Sequence, residues 1–559
     1  MGRWLQRLWC CVTVCLAAGG AAGQELAARV DAVFAAWDKN DTPGLALAVV
    51  QNGRIVYRRG YGLAHLESGS RNTPATVFHG ASLSKQFTAF AIHLLAQDGK
   101  LSLDDEVRKH LPELQVAGPP ITIRHLLHHT SGLRDQWDLL RLAGQRLDDV
   151  ITEADILVLL YQQKELNFAP GEQHLYSNSG YTLLSQIVKR VSGQTLAAFA
   201  QARIFGPLGM IQTHFQESYG HVVPGRAYSY QRAGEGWRYV ALSYSNVGAT
   251  SLFTTVEDLA MWDQNFYEQR VGGAPLHADM LKRGRLNNGR DVDYASGLMH
   301  GRHRGLPIVE HSGADAGYRA HVLRSPEQHF SVILLGNAGN LDAGTLTRRV
   351  ADLYLQGTPG LEALPTFPVE VELQPSALSA YLGDYEMRPG FVLSFTELQG
   401  QLQVQATGQP RFPMFASAHD SFFTKAFEAS VRFDAPGADG RTTTATATWR
   451  QGGRDLPLRR IQPHAPQAVE TLQACVGSYY SVELRSLYEL VFREGKLLLR
   501  TPRGVVDLKA VSEDLFSAMG GFGTLRLLRN AEKACNGFAV NTGRVRQLKF
   551  QRVTINPAP

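Results

Sequence analysis

The sequence predicts a mixed α/β (α+β) domain with one antiparallel sheet and intervening helices, followed by two antiparallel β-barrel domains. Strand-like runs lie at both ends of roughly the first 350 residues, and helical stretches fill the space between them. A proline-rich stretch over residues 357–375 then reads as a linker. Beyond it, short alternating strands occur in two similar copies, offset by about 94 residues.

The first 23 residues have the composition of a signal peptide. Arg3 and Arg7 precede an apolar run over residues 8–18, and Ala21 and Gly23 fill the small-residue positions before a cleavage site. The apolar run is too short to span a bilayer as a mature helix. We therefore expect a periplasmic or extracellular protein with no integral membrane span in the mature chain, an uncleaved anchor being the alternative.

Charge and composition exclude several classes of partner. Removal of the leader lowers the basic count from 56 to 54 against 51 acidic residues, which leaves a net charge of +3. No run of basic residues stands out, so we expect no nucleic-acid partner and no binding to an anionic membrane. A hydrophobic content of 44% is typical of a globular protein.

Cysteine usage points to one cross-link. Three of the five cysteines lie in the leader, so only Cys475 and Cys535 remain in the mature chain. An even number of cysteines in an oxidising compartment favours a disulfide. Two buried free thiols remain the alternative.

The first domain is predicted over residues 24–356. ELAARVDAVFAAW has helical periodicity, and LALAVVQNGRIVYRRGYG reads as two strands joined by Asn52-Gly53, a strong hairpin signal. AHVLRS and FSVILLGN are late strand candidates, and the helical stretch TLTRRVADLYLQ follows them. Strands at both ends of one segment indicate a single antiparallel sheet that is completed by the two ends of the domain.

The two barrels are predicted over residues 376–465 and 466–559. LSAYLGDYEM at Leu378 matches LQACVGSYYSVEL at Leu472, and two later pairs of stretches keep the same order and spacing. Barrels of this size are usually filled by their own side chains, so a scaffold role is favoured over a lipid pocket.

Ser82 and Lys85 are the strongest candidates for chemistry. They are three residues apart at the start of a helical pattern, which places both side chains on one face. Oriented N–H groups at a helix start favour the negative charge that develops during attack by a serine. A serine needs a base to take its proton, and a lysine can serve when its surroundings favour the neutral amine.

Two further stretches supply matching groups. Tyr176 and Asn178 are two residues apart where a loop enters a helix, and His311 lies at the start of a strand. A tyrosine beside a lysine can exchange protons with substrate, and the Asn178 amide can bind both Lys85 and a substrate carbonyl. Each signal is weak alone, but the order and flanking residues make the set specific.

Residues 25 to 356 resemble the class C β-lactamase, esterase and D-aminopeptidase family of penicillin-recognising serine hydrolases. The three motifs of that family fall on Ser82-Leu83-Ser84-Lys85, Tyr176-Ser177-Asn178 and His311-Ser312-Gly313. The resemblance implies a β-lactamase/transpeptidase-like domain with an antiparallel sheet, a helical lobe and a site between them. It also implies that Gly313 and Ala314 line the substrate site, with the N–H groups of Ser82 and Ala314 as the oxyanion hole.

The third motif departs from that of true β-lactamases, in which a lysine helps to hold the substrate carboxylate. Histidine at position 311 resembles the D-aminopeptidase and some esterases of the family. A catalytic domain followed by two lipocalin-like barrels is also the architecture of D-aminopeptidase. That resemblance implies a loop from the final barrel that reaches the substrate, and residues 518–524, with Phe522 at the tip, are the best candidate.

The predicted reaction is acyl transfer to Ser82 followed by hydrolysis, with Lys85 and Tyr176 sharing proton transfer. Asn178 is expected to orient, and His311 to line the pocket, where it can donate to substrate or to Tyr176. The preferred substrate is a small molecule or short peptide with an N-terminal D-residue. Alternatives are an esterase, a weak β-lactamase, or a non-catalytic wall-peptide-binding protein. No cofactor and no metal are expected, despite the histidines of HLLHHTSGL. Oligomeric state stays open, a homodimer included.

Overall fold

The computed structural model describes residues 23–363, 367–388, 391–406, 411–435, 444–451, 454–461, 469–518 and 522–554. The predicted signal peptide lies outside the described residues except for Gly23. Two compact units are present. The N-terminal unit holds most residues up to Ala363, and the C-terminal unit holds Arg134–Arg146, Gln162–Asn167 and the chain from Leu364 onward.

A six-stranded antiparallel sheet forms the centre of the N-terminal unit. Its strands, in chain order, are β1 (Leu45–Gln51), β2 (Arg54–Tyr61), β12 (Met299–His303), β13 (Leu306–Asp315), β14 (Tyr318–Ser325) and β15 (Phe330–Gly336). The spatial order is β12-β13-β14-β15-β1-β2, so β1 pairs with β15. The first and last strands of the domain are therefore neighbours, as the sequence predicts.

The predicted hairpin at Asn52-Gly53 is confirmed. Both residues have positive φ, 50° and 74°, which matches the mirror-image turn that two-residue hairpin loops prefer. The side chains of β1 are buried along nearly its whole length, because this strand lies between two others and has both faces covered.

Helices cover the sheet and build the remainder of this unit. They are α1 (residues 23–33), α2 (Ser84–Gln97), α3 (Val107–His110), α4 (Ile123–Leu127), α6 (Glu153–Tyr161), α7 (Asn178–Ser192), α8 (Leu196–Ala200), α9 (Gly206–Leu208), α10 (Val256–Glu268), α11 (Gly273–Met280) and α12 (Ala343–Tyr354). Helix α2 is buried on all sides from Ser84 to Leu95 and packs against α7. No helix in the described part of the chain is long and apolar enough to cross a bilayer.

Short strands connect the helices. They are β3 (Leu63–His65), β4 (Ser70–Arg71), β5 (Phe78–His79), β6 (Ile151–Thr152), β7 (His214–Phe215), β8 (Tyr230–Ala233), β9 (Gly236–Tyr239), β10 (Tyr244–Ser245) and β11 (Leu252–Thr254). Strand β11 pairs with β5, which ends three residues before Ser82. This small sheet therefore fixes the chain as it enters the Ser82 turn.

The second barrel is closed, as expected. Its eight antiparallel strands are β25 (Gly477–Ser481), β26 (Ser486–Arg493), β27 (Lys496–Thr501), β28 (Gly504–Ser512), β29 (Leu515–Ala518), β30 (Gly523–Arg529), β31 (Cys535–Asn541) and β32 (Leu548–Val553). Helix α14 (Val469–Gln473) precedes them. Closure by the β25–β32 pairing leaves this module without an exposed sheet edge.

The first barrel-like module differs from the predicted closed barrel. Helix α13 (Pro375–Leu378) precedes nine strands: β16 (Gly383–Arg388), β17 (Phe391–Leu398), β18 (Gln401–Ala406), β19 (Arg411–Pro413), β20 (Phe415–Ala418), β21 (Ser421–Thr424), β22 (Ala429–Phe433), β23 (Thr446–Gln451) and β24 (Arg454–Arg460). The two edge strands, β19 and β20, are separated by Met414 alone. Together they correspond to the single strand β28 of the second barrel. The strand is divided here because Pro413 has no N–H with which to continue a ladder.

Two short segments from within the predicted first domain group with the C-terminal unit, a feature that the sequence patterns did not indicate. The first contains helix α5 (Gln136–Leu142), and the side chain of Arg134 just before it is fully buried. Arg134 donates to Glu483 at 2.5 Å, to Gln163 at 3.2 Å and to the carbonyl of Arg546. A buried guanidinium requires such partners, so these segments are part of the core of the unit.

Cys475 and Cys535 form a disulfide, in agreement with the sequence-based expectation. The bond joins the start of the second barrel to β31 and closes a loop of 60 residues.

Replacing both cysteines with serine should lower the free energy of unfolding by about 2–4 kcal/mol, because the unfolded chain regains loop freedom. Urea unfolding with and without reductant measures this loss, and two free thiols in mass spectra of unreduced peptides would contradict it.

Candidate active site

Ser82 lies in a tight helical turn, Ala81–Leu83, that leads directly into α2. Ala81 is buried and has a φ of 48°, an uncommon conformation for a residue other than glycine. Ser84 holds this turn in place: its hydroxyl donates to the carbonyl of Ala81 and accepts from the N–H of Leu252 on β11. The second serine of the motif is therefore structural, and the strained turn presents Ser82.

Lys85 is fully buried, and its hydrogen bonds include three that define its position in the site. Its ammonium nitrogen, Nζ, lies 3.0 Å from Oγ of Ser82, 2.9 Å from Oδ1 of Asn178 and 2.6 Å from the carbonyl oxygen of Ala249. The sequence predicts the first two contacts, whereas the Ala249 carbonyl is an addition from the structure. A proton can pass between Lys85 and Ser82 at this distance.

Tyr176 is held beside Lys85 by the turn that follows α4. His129, with a φ of 56°, accepts twice from the Tyr176 loop: its carbonyl from the N–H of Leu175 and its ring Nδ1 from the N–H of Ser177. Nζ of Lys85 lies 5.0 Å from the centre of the Tyr176 ring. His129, one of the histidines of HLLHHTSGL, thus has a structural role and positions the loop.

His311 joins the site from β13, but its hydrogen bonds differ from the predicted ones. Its Nδ1 lies 2.7 Å from the carbonyl oxygen of Ser312, which can only accept, so Nδ1 carries the ring proton. Nε2 lies 3.0 Å from the hydroxyl of Tyr294, which therefore donates to it. Burial and the nearby charge of Lys85 lower the pKa of His311 to about 3. His311 is thus neutral and accepts at Nε2, which corrects the expectation that it donates to substrate or to Tyr176.

Gly313 and Ala314 bring β13 against the Ser82 turn. A β-carbon at position 313 would lie 2.4 Å from the carbonyl oxygen of Gly80 and 3.2 Å from the nitrogen of Ser82, so only glycine allows this approach. Beyond Glu310, β13 has no partner on its β12 side within the described residues. This arrangement is compatible with an oxyanion hole that combines the N–H groups of Ser82 and Ala314.

Asp315 is a site residue that sequence reasoning missed. His311, Gly313 and Asp315 alternate along β13 and share the face toward the Ser82 turn. The hydroxyl of Thr250 donates to Asp315 at 2.8 Å. Burial raises the pKa of Asp315 to about 6, while Thr250, Lys85 and Arg319 oppose that shift. The residue directly follows the HSGA motif, and that position was the only available signal.

Tyr294 was also missed, because its loop carries no recognised motif. Its ring packs 4.4 Å from that of His129 and 6.0 Å from that of Tyr176, measured between ring centres. Gly297, three residues on, has a φ of 73°, and a β-carbon there would lie 2.7 Å from the backbone of Lys85. Glycine therefore lets this loop lie directly on the first turn of α2.

Phe522 is the predicted site residue that belongs to the other unit. It lies at the turn between β29 and β30, half-buried, with its ring centre 6.5 Å from that of Tyr488. Residues 519–521 of the same loop lie outside the described residues. Contact between Phe522 and a substrate stays a prediction.

The fold and the site together define a serine hydrolase in which the candidate nucleophile, Ser82, and the buried Lys85 lie three residues apart. Residues 30–355, more than half of the chain, match the Beta-lactamase family, and the chain belongs to that family. Residues 368–460, which include all the strands of the first barrel-like module, match a domain of unknown function, DUF3471. The predicted family and fold class are thereby confirmed.

Curated relatives include penicillin-binding proteins and a D-aminopeptidase. "Penicillin-binding protein 4*" of Bacillus subtilis (strain 168) is 29% identical over 420 residues, which is 71% of this chain and 91% of that protein. D-aminopeptidase of Gluconobacter oxydans (strain 621H) is 28% identical over 296 residues, 53% of this chain and 56% of that protein. The chain therefore aligns with little more than half of the D-aminopeptidase.

Solved structures share the fold. The octameric penicillin-binding protein homologue from Pyrococcus abyssi superposes with a TM-score of 0.55 at 21% identity, over 86% of this chain and 99% of that one. D-amino acid amidase from Ochrobactrum anthropi SV3, complexed with L-phenylalanine amide, gives a TM-score of 0.51 at 23% identity, over 59% and 98% of the two chains.

Replacing Ser82 with alanine should abolish turnover, because no other group at this position can form the acyl-enzyme. We expect kcat to fall by at least roughly a thousandfold, with the melting temperature nearly unchanged since the side chain is only half-buried. Labelling by a fluorophosphonate should be lost in parallel. Activity within tenfold of the parent would exclude Ser82 as the nucleophile.

Replacing Tyr294 with phenylalanine should leave the acceptor Nε2 of His311 without its donor. We expect kcat to fall about tenfold, equivalent to ~1.4 kcal/mol, with KM nearly constant, because the ring loses its fixed orientation in the site. Tyr61→Phe is the matched control, since its buried hydroxyl donates to Asp31 away from the site. If the two variants lost the same stability and neither changed kcat, Tyr294 would be merely structural.

Proposed function

We propose that this protein is a secreted hydrolase that releases N-terminal D-amino acids from short peptides or amides. The single observation that carries the proposal is that a neutral His311 and the carboxyl of Asp315 lie on the same face of β13. The signal-peptide-like leader supports secretion, and the D-aminopeptidase relative supports the substrate class.

The charge pattern of β13 favours an amine over a carboxylate. A protonated lysine at position 311 would attract a substrate carboxylate, but the neutral imidazole of His311 carries no such charge. Asp315, by contrast, is largely ionised at neutral pH, because its pKa of about 6 lies below 7. An α-ammonium group on the substrate, with a pKa near 8, would complement Asp315.

The reaction follows from the positions of Ser82, Lys85 and Tyr176. In its neutral amine form, Lys85 takes the hydroxyl proton of Ser82 while Oγ attacks the acyl carbon, and the N–H groups of Ser82 and Ala314 stabilise the oxyanion. The proton then passes through Lys85 and Tyr176 to the leaving amine, and the acyl-enzyme remains. Water gives a proton to the same pair, attacks the ester and releases the free amino acid.

A substrate panel at several pH values tests the proposal. We expect D-alanyl p-nitroanilide to be cleaved faster than its L-isomer, its N-acetyl derivative and nitrocefin. The kcat/KM ratio of the free amine to the N-acetyl substrate should rise between pH 5 and 7, because Asp315 ionises around pH 6 and only its carboxylate attracts the ammonium. Asp315→Asn should abolish that rise.

Asp258→Asn is the matched control for this measurement. Asp258 is another buried carboxyl with a raised pKa that accepts from a threonine hydroxyl, Thr213, at 2.7 Å, but it lies on α10 and outside the site. The control should keep the pH-dependent ratio of the parent. Efficient nitrocefin hydrolysis, or equal rates for the free amine and the N-acetyl substrate, would contradict the proposal.

A further inference from the structure

The C-terminal unit contains an internal comparison, because its two modules share strand register. Tyr385 pairs with Leu393 and Arg460 in the first, and Tyr479 pairs with Tyr488 and Arg552 in the second. Leu393 and Tyr488 therefore occupy equivalent positions. The same ladders make Ala447 equivalent to Phe538 and Leu458 equivalent to Phe550.

The second barrel is filled by its own aromatic side chains. Tyr488, Phe538 and Phe550 are almost fully buried, and the rings of Tyr488 and Phe538 lie 4.4 and 4.8 Å from that of Phe550. The hydroxyl of Tyr488 donates to the carbonyl of Leu142. The interior of this module is thus a packed core.

The first module carries leucine, alanine and leucine at those three positions. Other aromatic side chains replace only part of the volume that the three aromatic residues occupy in the second barrel. Phe395 and Phe433 pack against Tyr385, with ring centres 5.4 and 5.5 Å away, and fill one end of the module. The other end contains a cavity of about 450 Å³. That volume is within the range of small-molecule sites, about 300–1,000 Å³.

The lining of this cavity defines what it can bind. Its described residues are Met387, Phe391, Leu393, Val404, Ala406, Phe412, Phe427, Trp449, Gln451 and Leu456. None carries a charge, so an ionised ligand would lose its hydration without compensation. Gln451, which is exposed to solvent, accepts from the indole N–H of Trp449 at 3.1 Å, and within the described residues its amide nitrogen can still donate to a ligand oxygen.

We propose that the first barrel-like module binds an uncharged, largely apolar small molecule with one oxygen acceptor, of the class of long-chain alcohols. Of the three compared positions, Leu393 lines the cavity, so the apolar chain would occupy space that Tyr488 fills at the equivalent position of the second barrel. The oxygen would face Gln451. This site is independent of the hydrolytic reaction at Ser82.

Titration of the full chain with the neutral fluorescent probe N-phenyl-1-naphthylamine tests the proposal. We expect saturable binding of one probe per chain, displacement by 1-dodecanol, and at least tenfold weaker displacement by laurate, whose carboxylate finds no cation among the described lining residues. Ser82→Ala should leave the titration unchanged, which separates this site from the active site. Absence of saturable binding, or preferential displacement by laurate, would overturn the proposal.

The substitution Leu393→Phe tests whether the probe binds inside the cavity. The larger side chain occupies the volume that Tyr488 takes in the second barrel, so the probe affinity should fall at least tenfold while hydrolysis is unchanged. Leu398→Phe is the matched control, because it adds the same atoms to an exposed side chain on the same strand. If Leu393→Phe fails to fold, Ala406→Leu fills the same cavity from β18. Equal affinity in the parent and in a folded filling variant would show that the probe binds elsewhere.

Discussion

The active site depends on one buried ammonium group. Removing a cation from water is costly unless all its protons find acceptors, and Lys85 satisfies this requirement with Ser82, Asn178 and the carbonyl of Ala249. Each acceptor comes from a different part of the chain: the turn before α2, the first residue of α7 and the loop before β11. The need to solvate one side chain therefore brings together the elements that surround the nucleophile.

Sequence reasoning succeeded where the signal is local. The Ser82–Lys85 spacing, the Asn52-Gly53 turn and the repeat each depend on residues that are near one another or in matching order. Asp315 and Tyr294 escaped notice because their importance comes from partners contributed by other elements, Thr250 and His311. The tautomer of His311 was equally inaccessible, since a neighbouring carbonyl and a tyrosine from another loop determine it.

The two C-terminal modules show that register and core volume are set by different residues. Gly383 and Gly477 both have positive φ and lie against an arginine, Arg460 or Arg552, near the start of the first strand. These arginines donate to backbone carbonyls at equivalent positions, those of Ala380 and Ala474. The ladder is therefore preserved between the copies while the interior side chains differ in size. The two modules thus share strand register but differ in the side chains that fill their interiors.

The grouping of α5 with the C-terminal unit limits how the molecule can be divided. Arg134 lies more than two hundred residues before the first barrel-like module in the sequence. Its ion-pair partner, Glu483, nevertheless belongs to the second barrel. A fragment that ended near Ala363 would keep Arg134 but would lose acceptors of its guanidinium that include Glu483 and the carbonyl of Arg546. The linker visible in the sequence therefore does not coincide with the division between the two compact units. Recombination at the linker would have to exchange both short segments along with the barrels.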